Sequence, residues 1–179
     1  MSKESVTIIN NRDGKEYEFP ILKSTVGPDV IDISALYGNI GMFTLDRGFT
    51  STASCRSRIT YIDGDIGKLM YRGYDIAYLA TKKSFLDTAF LLLHKELPNK
   101  DEYKSFLLEL KKRSFIHESM RKLFDAFPDN AHPMAILSSA VSALSTFYFD
   151  HLDMDSPEEV KEMAHRIIAK IPTIAAFSY

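Results

Sequence analysis

The feature that most constrains the fold is a series of helix start signals in the second half of the chain. Ser84 is followed three positions later by Asp87, and Asn99 is followed in the same way by Glu102. In each pair the first side chain can accept a hydrogen bond from the first helical turn, and the acidic side chain can bond back to the capping residue. Ser156-Pro157 adds a hydroxyl cap followed by proline at the first helical position. These signals predict a succession of helices.

Apolar spacing predicts how far the helices run. The first is expected over Phe85–Leu97 and is apolar almost all round, which predicts burial. The second has one apolar face, formed by Tyr103, Phe106, Leu107 and Leu110. Ser114 is predicted to cap a third helix, which ends at Pro128.

Two further helices are predicted near the carboxyl end. Between residues 133 and 149, serines and alanines alternate with large apolar residues, which predicts a helix packed closely on several sides. The last helix begins after Ser156 and enters the apolar segment Ile167–Tyr179, where Pro172 can introduce a kink. No glycine, cap or polar tail follows this segment, so we expect the chain to be truncated within its hydrophobic pattern.

The amino-terminal third instead predicts strands and turns. An Asp13-Gly14 step lies between apolar stretches and predicts a hairpin. A second hairpin is predicted from Ile59–Ile62 through the turn residues Asp63–Gly67 to Leu69–Tyr71. Residues 30–54 show no sustained period and are expected to form a loop.

Composition limits the classes of function. With 45% hydrophobic residues in 179, the chain can build a sizeable core. The formal net charge of −2 argues against nucleic acid or an anionic membrane as the main partner. A single cysteine fits a reducing cytoplasm, and neither a signal peptide nor a long apolar span is visible.

No motif predicts a metal site or a nucleophilic catalyst. His94, His132, His151 and His165 lack partners at metal or triad spacing, so structural or surface roles are expected. His117 lies beside Glu118 in a basic stretch and is a better candidate for function. We expect Cys55 to be a packed or capped thiol rather than a nucleophile.

The basic cluster Lys111–Ser114 is the best binding candidate that the residues themselves provide. If Ser114 begins a helix, its backbone N–H groups and the adjacent cations could hold a phosphate. The alternative is a solvated basic helix end that complements the dipole of the preceding helix. Arg166 and Lys170 form either a second basic edge or ordinary surface.

Several segments in register resemble the bacterial citrate synthases. The resemblance is carried, in order, by Phe43–Cys55, Ile59–Asp65, Tyr71–Ile76, His117-Glu118, His132–Ala135 and Ile171–Ala176. It implies a mainly α fold: an incomplete citrate-synthase-like helical large domain with a small β-rich amino-terminal region. The implied domains are a β-rich extension over residues 1–48 and the first part of the helical domain over residues 49–179.

The resemblance also implies a reaction. The family condenses acetyl-CoA with oxaloacetate to give citrate and CoA, with no required cofactor. Its general base and its two catalytic histidines lie in a later part of the sequence, so no residue of this chain is assigned a catalytic role and the chain alone is expected to be inactive. A 2-methylcitrate synthase, which uses propionyl-CoA, is the close alternative, although the β-rich extension favours citrate synthase. A non-catalytic dimerisation or nucleotide-sensing module is the alternative from another class.

Assembly and regulation are implied by the same resemblance. The small-residue helix and the helix after Ser156 match those that pair in the family dimer, which predicts a homodimer or a hexamer built from dimers. Enzymes of the Gram-negative type are inhibited by NADH at a separate site. The corresponding positions here are Lys112, Arg113, Ser114, Tyr148, Arg166 and Lys170. At the first three the family usually has Arg-His-Thr, and Phe115 stands where it has Met.

Overall fold

The computed structural model describes residues 4–149 and 153–179. His151, for which a structural or surface role is predicted, lies outside the described residues. The chain divides into two compact units, Met1–Tyr78 and Leu79–Tyr179. The predicted domain boundary after residue 48 stays a prediction.

The first unit contains two small antiparallel sheets. Strands β1 (Ser5–Asn10), β2 (Lys15–Leu22) and β3 (Val30–Ile31) form the first sheet in that order. β1 and β2 are joined through Gly14, whose φ of 69° lies in the left-handed region that glycine adopts without strain. The predicted hairpin is therefore confirmed, and it buries Phe19 completely.

The second sheet confirms the other predicted hairpin. Strands β4 (Thr60–Asp63), β5 (Lys68–Tyr71) and β6 (Tyr74–Asp75) are consecutive and antiparallel. The Asp63 carboxylate accepts hydrogen bonds from the backbone N–H groups of Asp65 and Ile66, at 3.1 and 3.3 Å, and so shapes the turn.

The loop predicted over residues 30–54 is interrupted by short regular elements. These are β3 and a five-residue helix, α1 (Leu36–Ile40), which ends where Gly41 takes a left-handed conformation. Neither element is long enough to produce a periodic pattern, which explains why the sequence does not indicate them.

Helices dominate the rest of the chain. Their bounds are α2 Ile76–Lys82, α3 Phe85–His94, α4 Lys100–Arg113, α5 Ser119–Asp125, α6 Pro133–Ala143 and α7 Pro157–Phe177. The capping boxes predicted at Ser84 and Asn99 are present, and Ser156 caps α7. The mainly helical fold class is confirmed.

Two predicted helix ends are wrong. α3 ends three residues before Leu97, because Lys95 adopts a left-handed φ of 77° and its N–H closes the helix on the Leu91 carbonyl. The helix predicted to run to Phe149 ends at Ala143 and tightens into a 3₁₀ turn over Leu144–Phe147. α7 continues through Pro172 to Phe177.

The predicted start of the third helix is also wrong. Ser114 has helical backbone angles and terminates α4, and its hydroxyl donates to the Lys111 carbonyl at 3.0 Å. The next helix, α5, begins only at Ser119, and its N-cap residue, Glu118, makes no side-chain capping bond. Ser114 therefore lies at the negative end of a helix dipole, where the exposed groups are carbonyls.

Two apolar clusters hold the helices of the second unit together. One joins Ala89 of α3, Phe106 and Leu110 of α4, and Ala169 of α7. The other joins Met120, Ala140, Leu144 and Ile174. Because α7 contributes to both clusters, its exposed side chains are held in a fixed direction relative to α4. Within the described residues, no helix combines the length and apolar character that crossing a bilayer requires.

Candidate functional site

The carboxyl end of α4 packs against the middle of α7 and brings several predicted site residues together. Arg113 ends α4, while Arg166 and Lys170 lie one turn apart on α7. Tyr148, which follows the 3₁₀ turn, places its ring 4.5 Å from the Arg166 guanidinium carbon and 5.6 Å from Lys170 Nζ. These distances are typical of cations that contact the face of an aromatic ring. Four of the six predicted site residues thus form one cluster.

A carboxylate that sequence reasoning missed lies between the two arginines. Arg113 donates from Nε and Nη2 to the two oxygens of Glu162, at 2.9 and 2.7 Å. Arg166 Nε donates to the same carboxylate at 2.9 Å. Glu109 contacts the remaining terminal nitrogen of Arg113. The i, i+4 spacing of each glutamate before its arginine was a visible signal, since such pairs are adjacent on a helix surface.

Lys170 is buried and serves the end of α4. Its side chain is only 4% exposed. The ammonium group donates to the carbonyl of Arg113 at 2.8 Å and to the carbonyl of Phe115. Those carbonyls have no partner within the helix, so the cation satisfies them and complements the dipole.

Lys112 and Ser114 lie at the edge of this cluster. Lys112 is exposed and pairs with Glu109 at 3.2 Å. The Ser114 carbonyl accepts a hydrogen bond from Thr173 at 3.0 Å. Of the two interpretations of this segment, the phosphate site at a helix start is wrong, because Ser114 ends α4; the basic helix end that complements the dipole of the preceding helix is what the structure has.

Mutual pairing keeps the charged groups ionised. Hydrogen bonds from Arg113 hold the pKa of Glu162 below its ordinary value, in spite of partial burial. The hydrogen bonds from Glu162 and Glu109 raise the pKa of Arg113 in turn. Pairing therefore favours the charged forms of Glu162 and Arg113, and by residue type the cluster holds more cations than carboxylates.

An open cavity of about 260 Å³ adjoins the end of α4. It is lined by Ser114, Phe115, Ile116, His117, Glu118, Arg121, Thr173 and Phe177. Phe115 is 81% exposed, and Arg121 lies 5.7 Å from the centre of the Phe177 ring. Phe115 lines this cavity and also accepts the Lys170 hydrogen bond through its carbonyl, so aromatic surface lies beside the cationic cluster.

The histidines have structural partners. His117 Nδ1 accepts from the Ser119 N–H at 3.1 Å, and His132 Nδ1 caps α6 by accepting from the Met134 N–H at 3.2 Å. His94 and His165 lie 6.1 Å apart, and each packs against Phe106. Burial lowers the pKa of both. His94, His132 and His165 thus have the structural roles that were expected of them. His117 also has a structural role, since it accepts a backbone hydrogen bond at the start of α5.

Outside this cluster, the structure bears on two more sequence predictions, the environment of Cys55 and the absence of a metal site. Cys55 is exposed, so the packed form of the expected packed or capped thiol is wrong. Among residues 4–149 and 153–179, no three His, Cys, Asp or Glu side chains are placed to hold a metal ion.

Known proteins that resemble the chain agree with one another. A sequence model of the family described as "Citrate synthase, C-terminal domain" matches residues 48–179. The citrate synthase of Helicobacter pylori (strain J99) is 51% identical over 176 residues, which are 98% of this chain and 41% of that protein. The chain thus spans about two fifths of that relative's length.

Solved structures show the same likeness. The crystal structure of citrate synthase from Thermotoga maritima MSB8 matches with a TM-score of 0.63 and 28% identity, covering 76% of this chain and 34% of that one. The citrate synthase from Pyrobaculum aerophilum matches with a TM-score of 0.62 and 27% identity, covering 89% of this chain and 38% of that one.

Proposed function

The chain belongs to the citrate synthase family, and from this premise we propose that it works as part of an enzyme that condenses acetyl-CoA with oxaloacetate to give citrate and CoA. The observation that carries the proposal is the 51% identity to a citrate synthase along 98% of the chain. Identity at this level, held over many packed elements, is more specific than any single motif. No cofactor is required by the proposed reaction.

We propose that the catalytic groups lie outside these 179 residues. The condensation needs a carboxylate base and imidazoles that converge on both substrates. Each described histidine already has a structural partner. His94 and His165 pack among aromatic rings, and His117 and His132 accept backbone hydrogen bonds at helix starts. These contacts support a structural role for the histidines in this part of the enzyme.

Release of the CoA thiol tests both statements. The 179-residue chain mixed with acetyl-CoA and oxaloacetate is expected to release no thiol above background, whereas the complete protein encoded by the gene is expected to turn over. Turnover by the 179-residue chain would contradict the placement of the catalytic groups. Inactivity of the complete protein with both acetyl-CoA and propionyl-CoA would contradict the proposed reaction.

Two alternatives are separated by the same assay. A 2-methylcitrate synthase would prefer propionyl-CoA, so the ratio of kcat/KM for the two thioesters decides between the enzymes. A non-catalytic dimerisation or nucleotide-sensing module would release no thiol from either substrate. It would still bind a nucleotide or a second copy of itself.

We further propose that the cluster on α4 and α7 is an inhibitory site for NADH. The proposed contacts are Lys112, Arg113, Ser114, Tyr148, Arg166 and Lys170. The proposal is supported by the excess of cations in the cluster and by an aromatic ring held against two of them. The adjoining cavity beside Phe115 supports it as well, because a nucleotide combines phosphates with flat apolar rings.

We also propose that the enzyme assembles in the cytoplasm as a homodimer, or as a hexamer built from dimers. The small residues Ala135, Ser138, Ser139, Ser142 and Ser145 of α6 and its 3₁₀ extension are exposed. Their spacing places them along one side of the helix, where a second helix could approach closely. The use of a single cysteine supports the cytoplasmic location.

A further inference from the structure

We propose that Glu162 is a built-in counter-ion that competes with phosphate for the two arginines of the cluster, so that a nucleotide binds only by displacing this carboxylate. This inference rests on the inhibitory site proposed above and concerns how that site is regulated. A carboxylate and a phosphate present similar oxygens to an arginine, and the two can therefore exchange.

Glu162 occupies the positions that a phosphate would need. Its two oxygens receive the Nε and Nη2 donors of Arg113 at 2.9 and 2.7 Å, which is the bidentate geometry that arginine offers to oxyanions. Arg166 Nε adds a third hydrogen bond at 2.9 Å. An incoming anion cannot use these donors while the carboxylate remains between them.

The resident carboxylate leaves one donor unused. Arg166 Nη1 is buried and has no hydrogen-bond partner among the described residues. The guanidinium of Arg166 is held over the Tyr148 ring at 4.5 Å, which limits its ability to turn towards another acceptor. The diphosphate of a dinucleotide has four non-bridging oxygens where a carboxylate has two, so it could engage a donor that Glu162 does not. A buried donor without a partner is costly, and this cost favours exchange.

Charge and position both allow the exchange. Arg113, Arg166 and Lys170 contribute three cations, against the carboxylates of Glu162 and Glu109. The Glu162 side chain is 31% exposed, so it can rotate towards solvent when it is displaced. Lys170 donates to the Arg113 carbonyl at the end of α4, and this hydrogen bond keeps one cation in place whichever anion is bound.

The test compares Glu162→Gln with a matched control, Glu158→Gln. Both substitutions remove one negative charge from α7, but Glu158 is exposed and makes none of the hydrogen bonds that Glu162 receives from Arg113 and Arg166. Inorganic pyrophosphate and NADH are titrated into the full chain by calorimetry at fixed ionic strength. We expect Glu162→Gln to bind both probes at least tenfold more tightly than the unchanged chain. Glu158→Gln should stay within twofold.

A second variant protects the test against misfolding. Glu162→Asp keeps the charge but withdraws the carboxylate by one methylene, so it should give a smaller gain in affinity than Glu162→Gln. Circular dichroism establishes that each variant is folded. Adding Arg166→Ala to Glu162→Gln should remove the gain, because the exchanged donors include those of Arg166.

The outcomes separate the two proposals. If NADH binds the unchanged chain and Arg166→Ala removes that binding, while the Glu162 variants bind no more tightly, the inhibitory site stands and the counter-ion role is wrong. If pyrophosphate gains affinity in Glu162→Gln but NADH binds no variant, the counter-ion role stands and the assignment to NADH is wrong. Absence of binding by either probe to any variant overturns both.

Discussion

Lys170 shows how one side chain can serve both packing and charge. The residue is only 4% exposed, and its ammonium group reaches two carbonyls at the end of α4. A buried cation is costly unless hydrogen bonds replace its hydration, and here the unpaired carbonyls of a helix end replace it. The cost of desolvating the lysine and the cost of burying those carbonyls are therefore relieved together.

Replacing Lys170 with Met should destabilise the chain by about 2–3 kcal/mol, because the carbonyls of Arg113 and Phe115 lose a charged donor. Urea unfolding followed by circular dichroism measures the change. Lys104→Met is the control, since that side chain is 77% exposed and its pair with Asp101 is long, at 3.7 Å. Equal effects of the two substitutions would contradict the role given to Lys170.

His165 predicts a pH dependence of stability. It is 8% exposed, its Nε2 has no partner among the described residues, and burial is the largest cause of its lowered pKa. Lys161, Arg113 and His94 lower the pKa further, and Glu162 opposes them. The pKa of His94, on α3, is lowered by burial and by the charge of Lys161, whereas the charge of Glu102 raises it. Both rings are therefore favoured in the neutral form.

The direction in which stability changes with pH follows from proton binding. Below the ordinary histidine pKa of 6.5, the unfolded chain binds protons that the folded chain resists, so stability falls as pH falls. Above that value this contribution is complete. His165→Phe removes the titrating group and keeps a ring of similar size, and it should flatten the loss of unfolding free energy between about pH 6.5 and the folded pKa. Unchanged pH dependence in this variant would contradict the assignment.

At the scale of elements, a capping side chain has a different meaning at each end of a helix. Ser84 accepts the Asp87 N–H at 3.1 Å at the start of α3, whereas Ser114 donates to a carbonyl at the end of α4. Both are serines beside helices, and the local sequence around Ser114 also fits a helix start. The difference is decided by Lys170 and Thr173 of α7, which bond to the carbonyls of residues 113–115.

The two serines provide a matched pair of substitutions. Ser84→Ala removes an N-cap and should cost about 1 kcal/mol, whereas Ser114→Ala should cost less than about 0.5 kcal/mol because the backbone there is bonded by other groups. Chemical denaturation of both variants gives the comparison. A larger loss of unfolding free energy for Ser114→Ala than for Ser84→Ala would contradict the position of Ser114 at a helix end.

The elements that could be predicted were those specified by nearby residues. The hairpin turn at Gly14 and the capping boxes at Ser84 and Asn99 depend on contacts within a few positions, so they are visible in the sequence. The end of α3 at Lys95 depends on a left-handed residue that is not glycine, and such positions carry no local signal. Helix ends are accordingly less predictable than helix starts.

At the scale of the whole molecule, α6 links packing to assembly. Ala140 is fully buried in the cluster with Met120 and Ile174, while the serines on the other side of the helix are exposed. The small-residue composition predicted packing on several sides. Within the described residues the core covers only one side, which leaves the other for the proposed partner subunit.

Placing a long charged side chain on this exposed face should weaken self-association. We expect the unchanged chain to sediment as a dimer and Ser139→Arg to shift it towards monomer by at least tenfold in dissociation constant, because arginine prevents close approach of two helices. Ser105→Arg, at an exposed position of α4, is the control and should leave the dimer intact. A chain that is monomeric at all concentrations would contradict the proposed assembly.

From the sequence by itself came the two hairpins and five of the helices, which follow from local turn, capping and spacing signals, and the resemblance to the citrate synthases implied the family and the candidates Arg113, Tyr148, Arg166 and Lys170. Only the tertiary structure decided what those residues do to one another. Contact between α4 and α7 places Glu162 between Arg113 and Arg166, which are 53 positions apart in the sequence. The same contact leaves Ser114 at a helix end instead of a helix start and buries Lys170 against carbonyls. Pairing across two helices depends on how they pack, and that packing is set by apolar clusters spread over the whole second unit.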